Sequence, residues 1–341
     1  MEVGRIDQQQ LAKWIENSLG RSGVAVLKAL GGGNANLTLL IGSDEGDLVL
    51  RMPPDASISP NAERGIAREA RVMSALGGKL KVPQVLAWCE DTKVIGRSFL
   101  LVEHIDGVAI TDTLPTDYSD PVESLNKLGQ QLVDELATLH SIDPAAVGLA
   151  DLGNADDFLV RNIDRWQQIR KQQSVRDLPL LDELADWLRV NLPSKSSAAI
   201  IHGDYHLDNT LCRASVPELA AVIDWELSTL GDPLADLSLF LMFWGSRTID
   251  PPAFQHVQAV TRNPGIVSRK ILAQRWSERT SLALDHLDFY LCFAFWRLAA
   301  IVEGAWILQQ QGKVDAAYSR GLEYDVPALL VEAQHAATGD W

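Results

Sequence analysis

The chain has 341 residues, which is enough for one large domain or for two lobes around a cleft. Hydrophobic residues make up 47% of the chain, so it can bury a sizeable core, and wholesale disorder is excluded. The formal net charge of −15 argues against broad binding to nucleic acids or anionic membranes, which needs a basic surface. A small anionic substrate is still compatible with this charge, because a metal ion and a few basic side chains can reverse the field inside one cleft.

The cysteines and the N-terminal residues bear on the cellular compartment. Cys89, Cys212 and Cys292 are far apart and odd in number, which argues against a disulfide framework or a zinc finger. Residues 1–19 have the pattern of an amphipathic helix and lack the basic start and apolar run of a signal peptide. We therefore expect a cytoplasmic protein.

The first hundred residues have the pattern of short strands around one helix. A glycine cluster, Gly31-Gly32-Gly33-Asn34, separates the first two strands, and Pro53-Pro54 ends the third. Apolar residues at helical spacing follow this third strand. The predicted elements are strands over 24–30, 37–41, 47–51, 81–86 and 98–103, with a helix over 63–76 before the fourth strand.

After Ile105 the pattern becomes mostly helical. The two most apolar stretches, 234–244 and 287–308, contain charged residues, so we predict buried core helices rather than membrane spans. A small β-rich lobe over 1–105 and a larger helical lobe over 106–341 make an α+β, two-lobed architecture. The expected site lies in the cleft between the lobes.

The strongest chemical signal is the stretch Ile201-His202-Gly203-Asp204-Tyr205-His206-Leu207-Asp208-Asn209, which is followed by Ile223-Asp224-Trp225-Glu226. Each piece begins where a short apolar run ends, so we expect it at the end of a strand. Phosphoryl transfer requires a positioned nucleophile, metal ions on the phosphates and neutralised charge. Asp204 can accept a hydroxyl proton, and Asn209 and Asp224 offer the oxygen ligands that Mg²⁺ prefers.

The pattern H-G-D-x-x-x-x-N followed by I-D-W-E resembles the signature of the aminoglycoside phosphotransferase and choline kinase group, which is similar to protein kinases. The resemblance covers roughly residues 27–308 and looks most like the kinase-like domain found with some acyl-CoA dehydrogenases. It implies a protein-kinase-like fold and transfer of a phosphoryl group from ATP (or GTP) to a small-molecule hydroxyl, assisted by Mg²⁺. Hydroxy acids or their thioesters are the acceptors that it suggests. Asp204 would be the catalytic base, and Asn209 and Asp224 the metal ligands.

The resemblance also assigns residues to the nucleotide. Backbone N–H groups of Gly31, Gly32, Gly33 and Asn34 would cover the phosphates. Arg51 stands in the third strand at the basic position where protein kinases have lysine, and Glu69 is its expected ion-pair partner.

The connection between the lobes is the expected place for the base of the nucleotide, against the backbone near Glu103 and His104. On the acceptor side we expect His206, Glu226 and Arg297, the last as an anchor for an anionic group. The expected partner is a small hydroxylated molecule, with no nucleic acid and no membrane, in a monomer or a homodimer.

Several alternatives share these residues. A nucleotide-binding pseudokinase would have the same fold without turnover, although the complete set of Asp204, Asn209 and Asp224 argues against it. A metal-dependent hydrolase could use His202 and His206 as ligands, although no second cluster of ligands follows. Asp and Asn also favour ordinary turns. True aminoglycoside resistance would suit the negative charge.

Overall fold

The computed structural model describes residues 6–30, 36–53, 62–173, 175–194, 198–245, 259–313 and 321–341. Over these residues an N-terminal lobe built on one sheet is followed by a C-terminal lobe that is mostly helical. The predicted α+β, two-lobed architecture is therefore confirmed.

The N-terminal lobe is built on a five-stranded antiparallel sheet in which the strands, counted along the chain, lie in the order first, second, third, fifth and fourth. Alternate residues of its strands, such as Leu39, Leu48 and Leu50, are fully buried in a cluster with Leu11 and Ile15 of the first helix. This alternation follows from the two-residue period of a strand. The elements are α1 (Gln8–Leu19), β1 (Ala25–Leu30), β2 (Leu37–Gly42), β3 (Leu48–Met52), α2 (Ala62–Leu76), β4 (Val85–Cys89) and β5 (Phe99–Glu103).

The fourth strand differs from its prediction, because it covers Val85–Cys89 instead of 81–86. Pro83 has no N–H to give to a strand ladder. The backbone of Lys81 is used elsewhere: its N–H donates to the Glu135 carboxylate at 2.5 Å, and its carbonyl accepts from Val222 at 2.7 Å. This segment therefore joins the two lobes.

The C-terminal lobe is mostly helical, as predicted for the residues after Ile105, and it also contains two small two-stranded sheets. The elements are α3 (Pro121–His140), α4 (Phe158–Gln173), α5 (Pro179–Val190), β6 (Ala199–Ile201), β7 (Thr210–Cys212), β8 (Leu219–Val222), β9 (Thr229–Gly231), α6 (Pro233–Met242), α7 (Arg269–Thr280), α8 (Leu287–Gln310) and α9 (Leu322–Ala337).

Helix α8 is long and apolar enough, by length and composition, to cross a membrane. Most of it is nevertheless buried against α4, α5, α6 and α9. Its acidic residue Glu303 is buried and pairs with Arg176. Helix α8 is thus the central helix of the C-terminal lobe, as predicted for the core.

Helix α2 connects the hydrophobic cores of the two lobes. Its buried residues Ile66, Met73 and Leu76 belong to the same cluster as Leu128 and Leu132 of α3. The helix also packs on a short 3-10 helix, Trp225–Leu227, from the C-terminal lobe. Its buried face therefore carries Glu69 into the cleft between the lobes.

Candidate active site

Helix α6 holds the loop that contains Asp204 in place through hydrogen bonds. Both oxygens of the buried Asp236 accept backbone hydrogen bonds, from His202 N–H at 2.6 Å and from Gly203 N–H at 2.9 Å. Gly203 has a φ of +85°, and a Cβ there would lie 2.7 Å from the Leu227 carbonyl oxygen. Only glycine fits this position. Asp236, in the stretch Gly231–Leu237, therefore shapes the loop that contains Asp204.

The ring of His202 is fully buried, and backbone groups occupy both of its nitrogens. Nε2 lies 3.0 Å from the Ile223 carbonyl oxygen, and Nδ1 accepts the N–H of Asp204 at 3.2 Å. This pattern fits a neutral ring with its proton on Nε2, and burial lowers the pKa of His202 accordingly. Neither nitrogen is left for a metal, which argues against the hydrolase alternative. Among the described residues no group of three His, Cys, Asp or Glu side chains is arranged to hold a metal ion.

Asp204 faces Asn209 and His206. The Asn209 Nδ2 donates to the Asp204 carbonyl at 2.8 Å and to its Oδ2 at 2.9 Å, and the His206 Nε2 lies 3.5 Å from Oδ1. Burial by itself would raise the pKa of Asp204, but its interactions with His206 and Asn209 outweigh that effect and lower it to about 2. Asp204 is therefore a carboxylate at neutral pH.

Asp224 and Asn209 lie side by side because strands β7 and β8 pair. Thr210 stands opposite Val222, and the N–H of Ile223 donates to the Asn209 carbonyl at 2.9 Å. Asp224 has the left-handed φ of +67°, which is uncommon outside glycine and marks a specialised turn.

These two residues fit a magnesium ion by the chemistry of their donor atoms. Because Asn209 directs its nitrogen toward Asp204, its Oδ1 points away from that residue. Asp224 provides a partly exposed carboxylate next to it. Carboxylate and amide oxygens are the ligands that Mg²⁺ prefers.

Arg51 reaches from strand β3 to both lobes. Its Nη2 donates to the Asp224 Oδ1 at 3.0 Å, and its Nε lies 3.0 Å from the Glu69 Oε2. The predicted Arg51–Glu69 ion pair is therefore present. The Arg51 Nε–H does not point at the Glu69 oxygen, so the two groups interact through their charges and not through a hydrogen bond. Burial would lower the pKa of Arg51, but the carboxylates of Glu69, Asp224 and Glu226 raise it. Its contact with Asp224 was not foreseen from the sequence.

Glu69 is 1% exposed, and burial raises its pKa to about 7 despite the attraction of Arg51. Because this pKa lies above the ordinary value, the folded protein holds the proton more tightly than the unfolded chain does. The stability that protonated Glu69 contributes is fully present below about pH 4.5 and is lost as the pH rises through about 7. The carboxylate that holds Arg51 forms over the same rise in pH.

We expect the affinity for nucleotide to depend on the ionisation of Glu69. The ratio of wild-type affinity to that of Glu69→Gln should increase between pH 6 and pH 8 by about tenfold, because only the wild type gains a charged partner for Arg51. Titration calorimetry at several pH values measures this ratio, and the variant corrects for protonation of the nucleotide itself. A ratio that stays constant with pH would contradict the role of Glu69.

The other predicted residues are placed as follows. The glycine cluster Gly31–Asn34 lies outside the described residues. The Glu103 carboxylate accepts the Gln84 N–H at 2.8 Å, and His104 is exposed where the chain leaves the sheet. The ring of His206 packs on Phe243 with centroids 4.6 Å apart.

Two residues expected near the acceptor, Glu226 and Arg297, are found in different places. The Arg297 Nη2 lies 3.4 Å from the Gly203 carbonyl oxygen, in the loop that contains Asp204. Glu226 instead faces the N-terminal lobe, where its Oε2 accepts the Asn36 Nδ2 at 2.5 Å. Asn36 was not predicted from the sequence as a residue of the site. Its one local signal is an asparagine directly between the glycine cluster and the apolar second strand.

The chain is similar to known proteins over most of its length. The model of a family described as "Phosphotransferase enzyme family" matches residues 26–266, which is more than half of the chain. The chain belongs to the phosphotransferase enzyme family. This phosphotransferase is also 30% identical over 332 residues to mouse acyl-CoA dehydrogenase family member 10, with 92% of the chain aligned. It spans only 29% of the length of that relative.

Solved structures of similar fold cover nearly the whole phosphotransferase. A protein from Ralstonia eutropha, described as a candidate aminoglycoside phosphotransferase, is 29% identical and has a TM-score of 0.83, covering 98% of this chain and 99% of that one. The GDP and kanamycin complex of APH(2")-IIIa is 16% identical with a TM-score of 0.62, covering 95% and 98% of the two chains. The second likeness shows the fold alone.

Proposed function

We propose that this phosphotransferase moves the γ-phosphoryl group of ATP or GTP to a hydroxyl group of a small molecule, with the help of Mg²⁺. The observation that carries the proposal is the convergence of Asp204, Asn209 and Asp224 on one side of the cleft with Arg51 on the other. Phosphoryl transfer is catalysed mainly by positioning and charge neutralisation, and these four residues supply both. The fold shared with a GDP-bound aminoglycoside phosphotransferase supports a nucleotide as the donor.

Arg51, Glu69, Asn209 and Asp224 would serve the donor side. Asn209 and Asp224 would hold Mg²⁺, which would neutralise the negative charge of the donor phosphates. Arg51 would bind the donor phosphates while Glu69 fixes its guanidinium. A planar guanidinium can make two parallel hydrogen bonds to phosphate, which a lysine at this position would not. The backbone near Glu103 and His104 would receive the base of the nucleotide.

Asp204 would bind the acceptor hydroxyl. A carboxylate whose pKa is near 2 is a weak base in the ground state. It can still orient the hydroxyl by accepting its hydrogen bond and take up the proton late, once bond formation to phosphorus has made that proton acidic. The loose transition state of phosphoryl transfer suits this order of events.

Arg297 would anchor the acceptor through a negatively charged group. Its guanidinium lies beside the Gly203 carbonyl, next to Asp204, and has no carboxylate ion-pair partner among the described residues. Burial lowers the pKa of Arg297, against the attraction of Asp204 and Asp236, and Arg165 adds to the positive charge nearby. A site with five N–H donors and a single weak contact fits an anionic ligand.

We expect Arg297→Ala to raise the KM for the acceptor by about 10- to 100-fold, which is the loss of a charge-assisted hydrogen bond. The Kd for nucleotide should stay within about twofold, because Arg297 is assigned to the acceptor alone. Arg297→Lys should restore part of the acceptor affinity. The surface variant Arg189→Ala, whose side chain pairs with Asp164, serves as the control. An unchanged acceptor KM in Arg297→Ala would remove this residue from the acceptor site.

The proposed function is tested by titration calorimetry of the purified protein with ATP and GTP, with Mg²⁺ or with EDTA. We expect binding that is stronger with Mg²⁺. Binding is then followed by a screen of hydroxylated acceptors, in which phosphorylated products are detected by mass spectrometry. Binding without any phosphoryl transfer would favour the pseudokinase, and failure to bind either nucleotide would contradict the proposal.

A further inference from the structure

Asn36 and Glu226 make a direct contact between the two lobes. Their side chains meet at 2.5 Å, from Asn36 Nδ2 to Glu226 Oε2, although 190 residues separate them in the sequence. Asn36 is 7% exposed and lies between the glycine cluster and strand β2. Glu226 comes two residues after Asp224, in the short helix Trp225–Leu227. The contact therefore joins the start of strand β2 to the loop that carries the expected metal ligand, Asp224.

Helix α2 packs against the Glu226 side of this contact. A Cβ added to Gly65 of α2 would lie 3.3 Å from the Glu226 Oε2 and 3.4 Å from its Cβ, so the helix backbone packs directly on the Glu226 side chain. The rest of α2 also packs on the short helix Trp225–Leu227. The short helix is thus held between α2 and Asn36.

The charges nearby explain why Glu226 is better suited to holding protein than to touching phosphate. It lies close enough to Asp224 and Asp204 to be repelled by both, and the Asn36 side chain and Arg51 offset that repulsion. Donor phosphates in the same cleft would add further negative charge. A carboxylate in this place needs N–H donors from the protein, and Asn36 provides one.

The amide of Asn36 has a single described hydrogen bond, to Glu226. Its Oδ1 is buried without a hydrogen-bond partner among the described residues. The acceptor-only Glu226 carboxylate requires the amide nitrogen to face it, which fixes the orientation of the amide. The position of Asn36 therefore depends on Glu226.

We propose that Asn36 and Glu226 form an interlobe latch, a pair of positioning residues that holds the start of strand β2 against the loop that carries Asp224. Strand β2 pairs with strand β3, where Thr38 stands opposite Arg51, so the latch sets the distance between Arg51 and the Asp224 carboxylate. This role replaces the substrate contact expected for Glu226 from the sequence. The inference rests on the proposed function, because it assigns a purpose to the same nucleotide site.

The latch predicts a specific pattern of nucleotide affinities. Asn36→Ala and Glu226→Ala should each weaken binding of Mg·ATP (or Mg·GTP) by about tenfold, the value of one hydrogen bond in a desolvated site. The double alanine variant should bind no more weakly than either single variant, because both remove the same contact. Glu226→Gln, which can still accept from Asn36, should weaken binding by only about two- to threefold.

Exchanging the hydrogen-bond donor and acceptor of the pair distinguishes the latch from a direct effect of the Glu226 charge on the nucleotide. Asn36→Asp places two carboxylates together and should weaken nucleotide binding at least as much as Asn36→Ala. Combining Asn36→Asp with Glu226→Gln restores a hydrogen bond of opposite direction, so most of the affinity should return. Glu63→Gln, an exposed residue in the first turn of α2, is the matched control and should bind like the wild type.

Titration calorimetry measures these affinities, and thermal unfolding of each variant reports whether the fold is retained. A merely structural role would lower the Tm without the rescue of affinity in the reversed pair. Additive losses in the double alanine variant, no rescue in the reversed pair, or normal binding by all variants would overturn the latch. Failure of the wild type to bind either nucleotide would overturn the proposed function, and the role of the latch with it.

Discussion

Replacing Asp204 with asparagine should lower kcat by about 10²- to 10⁴-fold, the usual contribution of a positioned general base. Asparagine has nearly the same shape but cannot take up the proton of the acceptor hydroxyl. The Kd for Mg-nucleotide should stay within about twofold, because the expected donor ligands are Arg51, Asn209 and Asp224 rather than Asp204. Steady-state kinetics with the identified acceptor and calorimetry with nucleotide measure the two quantities separately.

The low pKa of Asp204 also predicts how the wild-type rate depends on pH. The pKa of this carboxyl is lowered to about 2, so its charge is present above its ordinary pKa and is lost only as the pH falls through about 2. Protonation of Asp204 should therefore not limit the wild-type rate above about pH 4. A variant with unchanged kcat, or one that loses nucleotide binding together with kcat while keeping its Tm, would contradict the role of Asp204.

Replacing Asp224 with alanine should weaken nucleotide binding in the presence of Mg²⁺ by at least about 100-fold, because the variant lacks the one carboxylate assigned to the metal. In the presence of EDTA, which removes Mg²⁺, the same substitution should not weaken nucleotide binding. Asp224 then only repels the phosphates and occupies Arg51 at 3.0 Å, so its removal should leave binding unchanged or improve it.

Measurements with Mg²⁺ and with EDTA separate an effect of Asp224 on the metal from an effect on the fold of the site. Calorimetry of wild type and Asp224→Ala, each with Mg²⁺ and with EDTA, gives four affinities from which the metal-dependent part is obtained. An equal loss under both conditions would show that Asp224 supports the fold of the site rather than the metal. Thermal unfolding of the variant provides the control for stability.

Much of the site could be predicted from the sequence, because its parts are local. Asp204 and Asn209 are five residues apart in one loop, and the paired strands that follow bring Asp224 beside Asn209. Glu69 could be paired with Arg51 because a carboxylate at the edge of an apolar helix face requires a cationic partner. The order of strands and helices followed from hydrophobic periodicity.

What the sequence did not show depends on how the lobes pack. The contact of Asn36 with Glu226 joins residues in different lobes, and no periodicity or spacing indicates it. Arg51 could be paired with Glu69 but not with Asp224, which is 173 residues away. The fourth strand was placed too early because Pro83 and the contacts of Lys81 with the C-terminal lobe outweigh the apolar pattern there.

Helix α8 illustrates the same limit within one element. Its charged residues predicted a buried core helix in spite of its apolar length, and its packing against four other helices confirms that prediction. Arg297 lies on this helix, and its position next to the Gly203 carbonyl follows from that packing alone. The sequence indicated an unusual charge in an apolar helix without showing what it faces.

The most direct test of phosphoryl transfer at this site is the release of labelled phosphate from γ-labelled ATP or GTP by the wild-type protein. In the absence of an acceptor, water takes the place of the acceptor hydroxyl. We predict slow release that requires Mg²⁺ and is reduced in Asp204→Asn, which still binds the nucleotide. The absence of both nucleotide binding and phosphate release, in a protein that is folded by its thermal unfolding curve, would contradict the assignment of this site to phosphoryl transfer.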